Sequence, residues 1–142
     1  MNKSLATLTL ILFCFIGRAQ SVSKTDLTGK WQVTSALMSD TKDSPEIMEK
    51  MDVLRKCYEN AIIDFKEDGK FFIEFKKNNP KEFTDILYEE NSYWKYDAST
   101  SIISIGTIEE DYSFMEMKIV QKSDVTYFLI AESPYTLVVQ KL

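Results

Sequence analysis

The chain has 142 residues, 27% of them charged and 44% hydrophobic, and its formal net charge is −5 at pH 7. This length fits one domain with one hydrophobic core. The sequence contains no histidine, which excludes imidazole-dependent catalysis and removes the usual zinc ligand. It has only four glycines, and neither phosphate-binding pattern, G-x-G-x-x-G or G-x-x-x-x-G-K, occurs.

Residues 1–19 have the pattern of a secretory signal peptide. A basic residue precedes an apolar stretch over residues 5–16, and Gly17 and Ala19 place small residues at the −3 and −1 positions of a cleavage site. The stretch is shorter than the about 20 apolar residues of a membrane span; an uncleaved N-terminal anchor is the alternative. Cleavage would remove two basic residues and no acidic one, which changes the charge from −5 to −7. We expect an exported protein, periplasmic or secreted, that does not bind nucleic acid.

The first predicted strand begins at Leu27, in the run Leu27-Thr-Gly29-Lys-Trp31. Alternation at period two predicts that one face of this strand carries the side chains that point into the core. These are Trp31, Val33, Ser35 and Leu37.

A helix is predicted from Pro45 to about Asn60. Ser44 is a suitable N-cap and Pro45 fits the first helical position. Apolar residues then recur at helical spacing, at Ile47, Met51, Leu54 and Tyr58. Cys57, the one cysteine left after cleavage, lies near this apolar face, and we interpret it as a buried residue; a reactive thiol or an intermolecular disulfide is the alternative.

After the helix the sequence alternates at period two. Asp68-Gly69 predicts a hairpin between two strands, 61–66 and 70–77. Further strands are predicted over residues 82–90, 92–96, 101–107, 112–121, 125–131 and 135–142. Their number and spacing predict an all-β domain over residues 20–142. We expect an antiparallel up-and-down barrel of about eight strands with one α-helix inserted after the first strand.

The opening strand also resembles a known family. Leu27-x-Gly29-x-Trp31 after a signal peptide is similar to the G-x-W opening of lipocalins, and more closely to that of small bacterial lipocalin-like domains. The segments 65–71 and 94–97 resemble later parts of these domains. The resemblance implies a barrel with Trp31 packed at a closed end and a ligand cavity at the other. Lipocalins usually place an arginine over this tryptophan; here a lysine such as Lys141 could cover the ring instead.

Read from the residues alone, Gly29 permits a sharp turn and Trp31 either plugs a barrel end or is an ordinary core residue. The candidate interior of the barrel is rich in aromatic residues and methionine, which suits an adaptable apolar pocket but also a solid core. The candidate ligand-binding residues are Phe71, Ile73, Phe75, Trp94, Tyr96, Met115 and Met117. The same alternation places Ile103, Ile105, Ile119, Leu129, Leu137 and Val139 on the inward faces.

Two functions follow from this interpretation. The first is an exported binding protein that holds a small apolar or amphipathic ligand in the barrel. The second is a filled barrel that acts through its surface as an interaction or structural protein of the bacterial envelope. The acidic run 109–111 lacks the spacing of a calcium loop. We expect no catalytic residues, no metal, no cofactor and no transmembrane segment in the mature chain.

Overall fold

A computed structural model describes residues 21–142, so the predicted signal peptide lies outside the described residues. Within them an eight-stranded antiparallel sheet forms, in the order β3-β2-β1-β8-β7-β6-β5-β4. The strands are β1 (Gly29–Met38), β2 (Ile62–Phe65), β3 (Phe71–Glu74), β4 (Tyr93–Asp97), β5 (Ile102–Gly106), β6 (Met115–Lys122), β7 (Val125–Ile130) and β8 (Tyr135–Lys141). The helices are α1 (Lys24–Leu27), α2 (Pro45–Tyr58) and α3 (Lys81–Leu87).

The sheet curls into a nearly closed barrel. β1 pairs with both β2 and β8, and the two outermost strands of the sheet, β3 and β4, meet through a bridge between Lys70 and Tyr93. Two hydrogen bonds reinforce this junction: Phe71 N–H donates to the Ser92 carbonyl and Trp94 N–H donates to the Gly69 carbonyl, both at 2.9 Å. The predicted up-and-down eight-stranded barrel is therefore confirmed.

The predicted helix after the first strand is also confirmed. Ser44 caps α2 by accepting a hydrogen bond from the Ile47 amide, and Pro45 occupies the first position. Arg55 fixes the helix to the barrel, because it donates at 2.8 Å to the Ala36 carbonyl of β1. Arg55 also contacts Asp52 and Glu59 at 2.8 and 2.7 Å, and its hydrogen bond lowers the pKa of Asp52.

The strand predicted over residues 82–90 was wrong, since residues 81–87 form α3. Lys81 and Asp85 make an ion pair at 2.7 Å across one helical turn. Phe83 and Leu87, also four residues apart, are half-buried and buried respectively. This spacing is the helical signal that the strand interpretation passed over.

Two inward-facing predictions were wrong by one residue. A β-bulge shifts the pairing of β1 with β8 between Val33 and Ser35, so Ala36 is buried while Leu37 is 48% exposed. In β7, both faces are largely apolar, and Phe128 and Ile130 face the core instead of Leu129. Both corrections follow from the period of two, because a shift of one residue exchanges the two faces of a strand.

The barrel has two distinct ends. The connections 39–61, 107–114 and 131–134 lie at one end with α2 and α3, and we call this the helix end. The connection 75–92 begins there and returns along β3 to the bridge between Tyr93 and Lys70. Residues 21–28, the turns 66–70, 98–101 and 123–124, and the end of β8 lie at the other, which we call the tryptophan end. Within residues 21–142, none of the helices combines the length and apolar character needed to cross a membrane.

Candidate functional site

The tryptophan end is closed by α1 and two basic side chains. Trp31 Nε1 donates to the Leu27 carbonyl at 2.8 Å, and Leu27 is fully buried. Lys141 Nζ lies 5.7 Å from the Trp31 ring centroid and donates to the Asp26 carbonyl at 2.6 Å. The lysine therefore occupies the position over the tryptophan ring that was expected from the resemblance.

The segment before β1 is held to the same end by local hydrogen bonds. Ser23 and Asp26 form a reciprocal capping box, in which the Ser23 amide donates to the Asp26 carboxylate at 3.0 Å. Hydrogen bonds from the Ser23 amide and hydroxyl lower the pKa of Asp26. Tyr96 Oη donates to the Val22 carbonyl at 2.7 Å, and Lys24 Nζ lies 5.2 Å from the Trp94 ring centroid. This end of the barrel is sealed by contacts to both tryptophans.

The part of the barrel next to the tryptophan end is filled by aromatic rings around Phe65. The Phe65 ring centroid lies 5.4 Å from that of Phe71, 5.0 Å from Trp94 and 5.9 Å from Phe128. Phe128 in turn lies 5.5 Å from Trp31. These distances are those of directly packed rings, and all five residues are buried. The aromatic cluster is therefore a solid core between the tryptophan end and the helix end.

At the helix end, Tyr58 of α2 reaches across the barrel. Its ring lies 6.2 Å from Phe75, just after β3, and 6.0 Å from Tyr135 at the start of β8. β3 and β8 are separated in the sheet by β2 and β1, so α2 covers this side of the opening. Tyr135 Oη also donates to the Met51 carbonyl at 2.8 Å. Burial raises the pKa of Tyr58 well above its ordinary value.

The helix end differs from the aromatic cluster in how its apolar side chains are buried. Nine hydrophobic residues are packed on the core yet remain partly exposed, and seven of them lie at the helix end or on the connection 75–92 that leads away from it. They are Met38, Met51, Leu54, Phe75, Phe83, Tyr88 and Met115. Three of the seven are methionines, whose flexible side chains adapt to different contact shapes. This ring of seven residues, which we call the apolar ring, is the candidate site.

The predicted ligand-binding residues fall into two groups. Phe71, Ile73, Trp94 and Met117 are buried in the core. Phe75 and Met115 belong to the apolar ring, whereas Tyr96, also partly exposed, lies at the tryptophan end. All seven side chains point into the barrel or pack on its core, and their contact with a ligand stays a prediction. The structural pair Gly29 and Trp31 opens β1, with Gly29 at a φ of 118°.

The helices contribute site residues that the sequence prediction missed. Phe83 and Tyr88 come from the segment that had been interpreted as a strand. Tyr88 packs on Phe71 at 6.3 Å between ring centroids and donates from Oη to the Phe71 carbonyl at 3.3 Å. Met51 and Leu54 were on the predicted apolar face of α2, but nothing in the sequence shows that this face lies over a barrel opening.

The remaining reactive groups do not add chemistry to this site. Cys57 is buried, and burial raises the pKa of its thiol, as expected for a packing residue. Among residues 21–142, no three carboxylate or thiol groups are placed to hold a metal ion. The arrangement is suited to holding an apolar surface.

Comparison with known proteins agrees with this architecture. A family model described as lipocalin-like domain matches residues 27–124, which extend from α1 to the turn before β7. A search of curated proteins finds no match, and a search of solved structures finds none either.

Proposed function

Because the chain belongs to the lipocalin-like domain family, we propose that it is an exported protein that binds a small apolar or amphipathic molecule at the helix end of its barrel. Ligand binding in general is what a lipocalin-like barrel suggests. The choice of the helix end and of an apolar ligand is our own inference from the side chains, and export from the pattern of residues 1–19.

The observation that carries the proposal is the contrast between the two halves of the barrel. The aromatic cluster is tightly packed, and α1 with Lys141 closes the tryptophan end, where only two of the nine partly exposed apolar residues lie, Val22 and Tyr96. The apolar ring holds the other seven, two of which belong to α2 itself. Apolar walls with few polar groups are typical of small-molecule sites. A ligand would bury these side chains further.

The ring also has polar groups suited to an amphipathic ligand. Tyr58 and Tyr135 lie beside the ring with their hydroxyls at this end, and Tyr135 donates to the Met51 carbonyl. Tyr88 donates to the Phe71 carbonyl, next to the aromatic cluster. A hydroxyl that donates one hydrogen bond can still accept another. The ring can therefore hold an apolar chain while a tyrosine oxygen accepts a hydrogen bond from the ligand. This binding needs no catalytic group, and we propose a binding protein rather than an enzyme.

The test is binding of a dansyl-labelled fatty acid, followed by fluorescence titration of the purified protein. We expect saturable binding at one site, and Phe75→Ala should weaken it about tenfold, as expected for loss of a large apolar contact. Phe72→Ala is the matched control, because Phe72 lies on the neighbouring outward face of β3 and is 44% exposed. Equal loss in both variants, or no saturable binding to a protein that unfolds cooperatively, would contradict the proposal.

A second function is favoured by the aromatic cluster itself. A barrel with a solid core can act through its surface, as an interaction or structural protein of a bacterial envelope. If this second function is right, the dansyl-labelled fatty acid should leave the unfolding temperature unchanged. If the acid binds the folded barrel, it should raise that temperature.

A further inference from the structure

The exposed apolar side chains of this protein are concentrated at one end. Of the seven large hydrophobic residues that the described part of the chain exposes, five lie at or beside the helix end. These five are Leu37, Ile47, Ile86, Ile108 and Phe114. The other two, Phe72 and Leu142, lie on the outer face of β3 and at the end of the chain. Single exposed apolar residues need no explanation, but a concentration of them at one end indicates an interaction surface.

The β5–β6 loop and the β7–β8 turn form the best-defined part of this surface. Ile108 is 54% exposed and Phe114 is 37% exposed. Beside Phe114 lies a recess of about 330 Å³, lined by Ser113, Phe114, Met115, Glu116, Ala131 and Glu132. We call Ile108, Glu109, Glu110 and these six residues the rim patch.

The loop that carries the rim patch is held in one conformation. Ser113 bridges to Ile105 of β5, and the amides of Asp111 and Tyr112 donate to the carbonyls of Ile108 and Thr107 at 3.1 and 3.0 Å. Gly106, at a φ of 155°, lets the backbone of residues 112–114 pass within about 3 Å of the position a Cβ would take. A preformed surface binds without the entropic penalty of ordering a loop.

The charge of the patch is strongly negative and little compensated. Glu109, Glu110, Glu116 and Glu132 make no ion pair among the described residues, and the neighbouring Asp111 contacts Lys95 at 3.2 Å. The connections 39–61, 75–92, 107–114 and 131–134 together contain 14 acidic and 7 basic residues, a net charge of −7, whereas the rest of residues 20–142 has 8 of each. Apart from Glu89 and Glu90, which lie close to the junction of β3 with β4, this excess of negative charge lies at the end where the apolar residues are exposed.

We propose that the rim patch docks a basic segment of a partner protein, in which lysine or arginine stands beside an apolar residue. The apolar residue would lie on Ile108 and Phe114. An arginine or lysine in the recess would place its aliphatic stem on Met115 and its charge between Glu116 and Glu132, over or beside the Phe114 ring. A lipid surface does not fit, because it would desolvate these carboxylates without neutralising them, and anionic headgroups would be repelled.

The test uses a fluorescein-labelled short peptide of lysine, leucine and glycine, with a matched peptide in which glutamate replaces lysine. We expect the lysine peptide to bind at low salt and to shift the amide resonances of residues 107–116 and 131–132 in NMR spectra. The double variant Glu116→Lys/Glu132→Lys should weaken binding about tenfold, because it replaces two exposed attractions to the peptide's lysines with repulsions. The control Glu67→Lys/Asp124→Lys makes the same change of charge at the tryptophan end.

Each outcome decides the proposal independently of the barrel ligand. Equal weakening by the two double variants would mean that the peptide responds only to net charge, and would overturn it. Binding to zwitterionic lipid vesicles that is lost in Phe114→Ser would also overturn it, since the patch would then be a membrane surface. Phe114→Ser should instead weaken binding of the peptide several-fold and leave titration with the dansyl-labelled fatty acid unchanged. This result would separate the docking surface from the proposed ligand site, with which the rim patch shares only Met115.

Discussion

Replacement of Gly106 by alanine tests how tightly the β5–β6 loop is packed on the barrel. At a φ of 155° any side chain is strained, and an added Cβ would lie 2.9 Å from the backbone nitrogens of Ser113 and Phe114. Strained backbone conformations cost about 1–3 kcal/mol, and an overpacked contact that must shift the backbone costs a similar amount. We expect Gly106→Ala to lower the free energy of unfolding by about 2–4 kcal/mol.

Gly69→Ala is the matched control for this variant. Gly69 also has a positive φ, of 91°, but its added Cβ would meet nothing closer than the Tyr93 ring at 3.9 Å. Gly69→Ala should therefore lower the free energy of unfolding only by the cost of its strained backbone conformation, about 1–2 kcal/mol. Urea denaturation followed by tryptophan fluorescence measures both values. Equal destabilisation of the two variants, or an unchanged midpoint for Gly106→Ala, would refute the close approach of the loop.

Three further predictions concern the tryptophan end, Tyr58 and Cys57. Lys141→Met should lower the free energy of unfolding by about 1 kcal/mol through loss of the contact with the Trp31 ring, whereas Lys141→Arg should retain that contact. Equal urea midpoints for the two variants would contradict this prediction. Because burial raises the pKa of Tyr58 above 10.0, its phenol ionises first in the unfolded state, so the free energy of unfolding should fall as the pH rises above 10.0. Tyr58→Phe should flatten that decline in urea titrations at several pH values, and an unchanged slope would contradict the burial. The Cys57 thiol should react with an aromatic disulfide reagent only as fast as the protein unfolds, whereas immediate labelling of the native protein would show an accessible thiol.

The strand alternation and the hairpin and cap signals were sufficient to predict the barrel and α2. The opening Gly29 and Trp31, the Asp68-Gly69 turn and the Ser44-Pro45 start are local signals, so they could be recognised in a single sequence. The residue over the Trp31 ring could be anticipated from the resemblance to lipocalins, which place a basic residue of a late strand there, and Lys141 lies in the last predicted strand.

Other features depend on contacts that are distant in sequence. The bulge in β1 arises from its pairing with β8, and no local sequence pattern predicts it. β7 carries apolar residues on both faces, so its inward face is decided by Phe128 packing on Phe65 and Trp31. The segment 81–87 is different, because the four-residue spacing of Phe83 and Leu87 is a local helical signal that the strand interpretation passed over.

The candidate site was predictable in kind but not in place. The sequence indicated aromatic and methionine residues in the interior, and it left open whether they fill the barrel or line a cavity. In the structure the aromatic cluster is tightly packed and the apolar ring is partly exposed, and the two sets meet where Tyr88 packs on Phe71. That division arises because the helices that cover one end bring Tyr58, Phe83 and Tyr88 to it, which strand periodicity cannot reveal.

Native mass spectrometry of the protein purified from its natural source tests the ligand proposal most directly. We expect a mass above that of the mature chain, which extraction with organic solvent lowers to the bare chain mass, and a smaller ligand-bound fraction in Phe75→Ala than in Phe72→Ala. A bare chain mass in the unextracted protein, together with no uptake of the dansyl-labelled fatty acid, would contradict a ligand site at the helix end.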